Sequence, residues 1–191
     1  MFRPFGIELP PERLHREEGR KSEMIAEGIL QEFGIVIPEP ELTDLLNKKR
    51  ALYRSASPKG MRRDSLRAVK DLKALGFKIG LVSGSALENV TGILEPAETA
   101  LFDVLITAEE YKHGKPDPEP YLTGCDRLGI SPENGAAVEN APLGITSAKA
   151  AGLYVVGVTT TLEASELSEA DALLPDLTCL IELLQTINIT R

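Results

Sequence analysis

Three side chains in this 191-residue sequence have the types and spacing to handle a phosphate and a metal ion. Ser83 ends the apolar run Ile79-Gly80-Leu81-Val82. Lys115 sits in Gly114-Lys115-Pro116-Asp117-Pro118. Glu139 ends Ala136-Ala137-Val138 and runs into Asn140-Ala141-Pro142-Leu143-Gly144-Ile145. Ser83, Gly84 and Ser85 stand where a helix begins, and the free N–H groups and dipole of a helix start favour an anion that glycine lets approach closely. The other reading makes Ser83 a turn residue and Ser85 only a cap, since Ser85-Ala86-Leu87-Glu88 has the form of a capping box. Pro116 fixes the backbone beside Lys115 and favours extended geometry before it, so one ammonium is held in place. There it could neutralise phosphoryl oxygens. A carboxylate at Glu139 suits Mg²⁺, a hard cation that takes oxygen ligands; as a bare partner of the helix dipole it would also be stabilised. Asn140 could lend an amide oxygen to the same ion, or cap the helix ahead of Pro142.

Short apolar strands alternating with amphipathic helices must position these groups. Strands are expected at 79–82, 104–106, 136–138 and 154–158, with a short edge strand at 172–174. Helices are expected at 64–75, from Ser85, at 118–128, 142–151 and 177–184. That rhythm predicts a doubly wound parallel sheet, whose ligands bind at the carboxyl ends of the strands. Before it, residues 1–6 read as the tail of a helix stopped by Gly6. Residues 22–33 and 42–53 read as two further helices, with Pro38 and Pro40 breaking the chain between them. The small-residue stretch Ser55-Ala56-Ser57-Pro58-Lys59-Gly60 marks the expected boundary between a helical unit, 1–56, and an α/β core, 57–191.

Composition narrows the function classes. The chain is 42% hydrophobic and 26% charged with a net charge of −8, which suits a globular protein and argues against nucleic acid as partner. Basic residues crowd the window from Lys48 to Lys73, chiefly as solvated helix faces. The two cysteines, Cys125 and Cys179, fit no metal spacing. No apolar run is long enough to span a membrane, and the first residues lack a signal-peptide core, so a cytoplasmic protein is expected.

From about Gly60 onward the chain resembles the haloacid dehalogenase (HAD) superfamily of phosphatases and phosphomutases. Ser83 matches that superfamily's second motif, Lys115 in Gly-Lys-Pro-Asp-Pro the third, and Glu139 in Glu-Asn-Ala-Pro-Leu-Gly-Ile the fourth. The resemblance implies that Ser83 and Lys115 bind the phosphoryl group and that Glu139, with Asn140, binds Mg²⁺. The helical first part resembles the small cap of the β-phosphoglucomutase and phosphoglycolate phosphatase branch. Its Gly19-Arg20-Lys21-Ser22 matches a loop that faces the substrate through Arg20 or Lys21. Lys49, four before Tyr53, resembles a cap lysine that contacts a sugar phosphate.

Two departures stand out. The fourth motif usually reads Glu-Asp, and the amide of Asn140 removes one negative charge from the cation site. The first motif, an Asp-x-Asp whose first aspartate attacks phosphorus, occurs nowhere in the 191 residues. In the family its strand lies mid-sheet, between the counterparts of 79–83 and 136–139, so the first core strand is expected to be missing. The expectation is therefore a truncated chain whose Met1 is an internal methionine. Its nucleophile would lie upstream, and the chain alone would not turn over a small phosphorylated metabolite. Exposed strand edges would favour self-association. The alternative is a non-catalytic phosphate-binding protein on the same scaffold.

Overall fold

The computed structural model describes all residues except Met1, Arg16, Glu18, Ser57, Pro58, Asn188, Thr190 and Arg191, and leaves out the side chain of Glu12. Two readings from the sequence, the role of Met1 and the boundary at Ser57-Pro58, lie outside the described residues.

The first part is helical. Arg3–Phe5 form one tight turn closed by Gly6, and α1 (Pro11–His15), α2 (Ser22–Glu32) and α3 (Glu39–Ala56) follow. In α2, Ala26, Ile29 and Leu30 fall on one face by the 3.6-residue period and meet Leu42 and Leu46 of α3, with Phe2 and Ile7 completing the cluster. Helix α3 begins three residues before Leu42, because a proline such as Pro40 is tolerated in a first turn, where its missing N–H has no partner to lose.

The remainder alternates as expected. It comprises α4 (Arg63–Ala74), β1 (Gly80–Val82), α5 (Leu87–Ile93), α6 (Pro96–Thr99), β2 (Val104–Ile106), α7 (Glu119–Leu128), β3 (Ala136–Glu139), α8 (Pro142–Ala150), β4 (Tyr154–Val158), β5 (Ala172–Leu174) and α9 (Leu180–Thr186). Every strand pair is parallel. Gly80 faces Val104 in β1–β2, Ala136 faces Tyr154 in β3–β4, and Val156 faces Ala172 in β4–β5. Helices cover both faces of the β3–β4–β5 sheet. Tyr121, Cys125, Ile145 and Ala148 pack with Ala137 and Val155 on one side; Ala68, Leu180 and Leu184 pack with Val156 on the other. Val155 and Val156 of β4 are therefore fully buried, which explains why the strands read as continuous apolar runs.

The sheet is divided. β1 pairs with β2, β4 lies between β3 and β5, and among the described residues no strand joins β1 to β3. A cavity of about 290 Å³ lies between them, lined by Gly80 and Val82 on one side and Ala136, Ala137, Val138 and Glu139 on the other. Across this seam α7 packs on β1 and β2 and touches α8.

Four local expectations are corrected. Ser85 does not cap the next helix: α5 opens at Leu87 with Ala86 as its cap and no side-chain cap bond. The Glu109 carboxylate, brought in from after β2, accepts the Leu87 N–H instead, at 3.2 Å. Asn140 does not cap α8, whose cap is Ala141, again without a side-chain bond. Helix α6 was not foreseen; it is four residues long and its capping box is built from Glu95 and Glu98. The last helix starts at Leu180, three residues later than expected. No helix among the described residues is long and apolar enough to cross a membrane.

Candidate phosphate and cation site

Ser83 leaves β1 at its carboxyl end. Its N–H donates to the Ile106 carbonyl at 2.8 Å, which keeps it in line with the ladder to β2. Its hydroxyl oxygen accepts the Ser85 N–H at 3.1 Å, and its carbonyl accepts the Tyr111 hydroxyl at 3.1 Å. Burial, then the charges of Glu109 and Glu23, push the Tyr111 phenol up to about 12, so this hydroxyl keeps its proton and acts as a donor.

Lys115 is buried, at 3% exposure, which a lysine tolerates only with partners. Its Nζ pairs with Glu139 Oε1, lies 3.2 Å from the Tyr121 hydroxyl and 3.4 Å from the Val82 carbonyl, and stands over the Tyr121 ring at 4.7 Å from the centroid. Glu139 is the last residue of β3, and its Oε1 also accepts the Tyr121 hydroxyl. Burial first, and Glu139 second, raise the Tyr121 phenol well above its ordinary value. Helix α8 begins beside this carboxylate, and a Cβ on Gly144 would fall on it, so glycine is required for the two to lie in contact. Lys115 and Glu139 thus meet across the divided sheet, beside the residue that precedes Ser83.

The helical unit reaches the same edge. A Cβ on Gly84 would stand 2.6 Å from the Gly19 carbonyl oxygen and 2.9 Å from that of Arg20, so the loop lies directly on the turn after β1. Lys21 crosses to the core, donating to the Tyr111 carbonyl at 2.8 Å with its ammonium 4.5 Å from that ring's centroid. Arg20 turns the other way, to Glu17 at 2.9 Å, and its buried Nε has no hydrogen-bond partner among the described residues. Lys49 donates to Ser22 at 2.6 Å, and burial lowers its pKa. An ion pair between Arg54 and Glu88 ties α3 to α5. A cavity of about 340 Å³ between the two parts is bordered by Lys21, Ser22, Arg50, Gly84 and Glu109.

Ser83, Gly84, Ser85, Lys115 and Glu139 therefore share one strand edge, with Gly19 to Lys21 against it, whereas Lys49 is held back on Ser22. The donors fit Mg²⁺. Glu139 offers a carboxylate oxygen at a helix start, and such an ion needs only one or two carboxylates beside waters and a phosphate. The Asn140 amide nitrogen donates to Thr161 at 3.1 Å. Sequence reasoning missed Tyr121, six residues after Lys115 on the first turn of α7. It also missed the partner of His113, whose Nδ1 lies 2.9 Å from Glu119. That carboxylate accepts the Lys112 and His113 N–H groups as well, closing the exposed loop before α7.

Residues 11–152 match the haloacid dehalogenase-like hydrolase family. Validoxylamine A 7'-phosphate phosphatase of Streptomyces hygroscopicus subsp. limoneus is 54% identical over 78 residues, covering 41% of this chain and 37% of that protein. β-Phosphoglucomutase of Bacillus subtilis is 33% identical over 150 residues, covering 76% of this chain and 64% of the relative. In both matches the chain spans less than two thirds of the relative's length. The crystal structure of β-phosphoglucomutase from Clostridium difficile superimposes with a TM-score of 0.82 at 23% identity, over 96% of this chain and 84% of that one, a likeness of fold. With its parallel sheets, the serine, lysine and acid at one strand edge and a family match over residues 11–152, this chain belongs to the haloacid dehalogenase-like hydrolases.

Proposed function

We propose that these residues form the phosphate- and cation-holding part of a Mg²⁺-dependent phosphoric monoester hydrolase or phosphomutase. Its substrate would be a small phosphorylated metabolite, a sugar phosphate or a phosphoglycolate-like ester, in the cytoplasm. The observation that carries the reading is the buried Lys115–Glu139 pair beside Ser83. A buried ammonium beside the strand end that carries Ser83 can hold an anion, and a carboxylate at the start of α8 suits a hard cation. The names of the relatives, a validoxylamine A 7'-phosphate phosphatase and a β-phosphoglucomutase, support the substrate class.

In this reading the phosphoryl oxygens take hydrogen bonds from the Ser83 hydroxyl, the turn at Gly84-Ser85 and the Lys115 ammonium, which balances their charge where water is largely excluded. Glu139 and Asn140 hold Mg²⁺, which would neutralise charge on the same oxygens. The unit 1–56 acts as the cap, its loop at Gly19 to Lys21 closing over the alcohol part of the substrate and Lys21 standing nearer to it than Arg20. None of Ser83, Lys115 and Glu139 is the attacking aspartate of the family, so these residues alone bind without turnover.

Inorganic phosphate titrated calorimetrically into the 191-residue chain tests the reading. Binding that Mg²⁺ strengthens and Lys115→Ala abolishes is expected; binding indifferent to both overturns it. Phosphate release from an ester panel by the chain alone, lost in Lys115→Ala, would overturn the assignment of a holding role without a nucleophile.

A further inference from the structure

We propose that Tyr121 is a positioning residue of the cation site: its hydroxyl and the Lys115 ammonium together occupy one oxygen of Glu139 and so turn the other toward the cation. This rests on the reading of Glu139 as cation ligand and goes beyond it, because it assigns a role to a helix residue outside all the motifs.

Tyr121 is the third residue of α7 and is buried, at 8% exposure. Its ring packs with Cys125, Ile145 and Ala148, work that a phenylalanine would do equally well. The hydroxyl is what packing does not need, and among the described residues its hydrogen bonds run to charged groups, the Lys115 ammonium at 3.2 Å and Glu139 Oε1. A single donor leaves a carboxylate free to turn about its last bond. Here two donors converge on the same oxygen, Nζ from one side of the seam and the phenol from α7, which fixes the plane of the group. The face of the same ring also carries Nζ, so one side chain sets both the ammonium and the carboxylate. Groups that orient a metal ligand in this way change metal affinity by about 10–100-fold when removed.

The test is Mn²⁺ binding followed by electron paramagnetic resonance in the wild-type chain, Tyr121→Phe and Glu139→Gln, with melting temperature and metal-free phosphate affinity measured on each. Tyr121→Phe is expected to weaken Mn²⁺ about tenfold while its melting temperature and phosphate affinity change far less. Unaltered Mn²⁺ affinity in Tyr121→Phe, with binding lost in Glu139→Gln, overturns the inference and leaves the reading of Glu139 intact. Mn²⁺ affinity that Glu139→Gln does not change overturns that reading and the inference together. A parallel loss of Mn²⁺, phosphate and melting temperature assigns Tyr121 a structural role and also overturns the inference. If Tyr121→Phe does not fold, 3-fluorotyrosine carries the test, since the chain has only four tyrosines. One fluorine resonance must move on adding Mg²⁺ to the wild-type chain and none in Glu139→Gln; four unmoved resonances in the wild type overturn the inference.

Discussion

Removing one charge of the Lys115–Glu139 pair exposes how the site is held. The two side chains are 4% and 10% exposed, so neither charge is recovered by water when its partner is lost. Breaking a buried pair from one side costs about 3–5 kcal/mol, because an uncompensated charge remains in the interior. Among the described residues, Lys115→Met leaves the Glu139 carboxylate with the Tyr121 hydroxyl alone; Glu139→Gln leaves the ammonium with Tyr121 and the Val82 carbonyl. Each single variant is expected to lose about 3–5 kcal/mol in urea unfolding, and the melting temperature to fall by about 2–4 °C per kcal/mol for a chain of this size. The double variant, with no net charge left behind, is expected to lose markedly less than the sum of the two. The cycle isolates a coupling energy that surface pairs such as Lys48–Asp44, both well exposed, would not show. Additive losses, or single losses below about 1 kcal/mol, refute the view that these groups are buried as a pair.

Two further outcomes are expected. Gly84→Ala brings a Cβ to within 2.6 Å of the Gly19 carbonyl oxygen, so the loop must shift; a loss of about 1–3 kcal/mol and faster proteolysis of the loop follow, and unchanged stability would contradict the contact. The Lys73 hydrogen bond at 2.8 Å, then the Ile79 N–H at 2.7 Å, hold the Asp103 carboxyl below its ordinary range. Its stabilisation is complete above the unfolded value of about 4 and is lost as pH falls through the lower folded value. Stability of Asp103→Asn should therefore fall less steeply with acid than that of the wild type, and equal slopes would refute the coupling.

The legible parts of this fold are those governed by local pattern. The apolar runs announced all five strands, and the positions of Ser83, Lys115 and Glu139 at or after strand ends announced the edge on which they meet. Contacts between distant segments were hidden. Nothing near Ser85 reveals that Glu109 will supply the acceptor for Leu87, so the local capping pattern misled. Tyr121 reads as one more apolar residue of a helix until the turn at Pro118 brings it back against Lys115. Pro40 reads as a breaker because a sequence does not say whether a proline falls in a first turn or an interior one. Arg20 and Lys21 likewise part by contacts that neighbouring residues do not reveal, Arg20 to Glu17 within the same unit and Lys21 to the Tyr111 carbonyl opposite.

The seam between β1 and β3 has a consequence for motion. Strands in the middle of a parallel sheet are ordinarily the slowest to exchange their amide protons, because a ladder guards them on both sides. Here β1 and β3 line the two sides of the seam, and among the described residues each has a ladder on one side only. Their inner amides should exchange with deuterium on the schedule of rim strands. The two halves would breathe against each other, held at the carboxyl end by the Lys115–Glu139 pair and along the seam by α7.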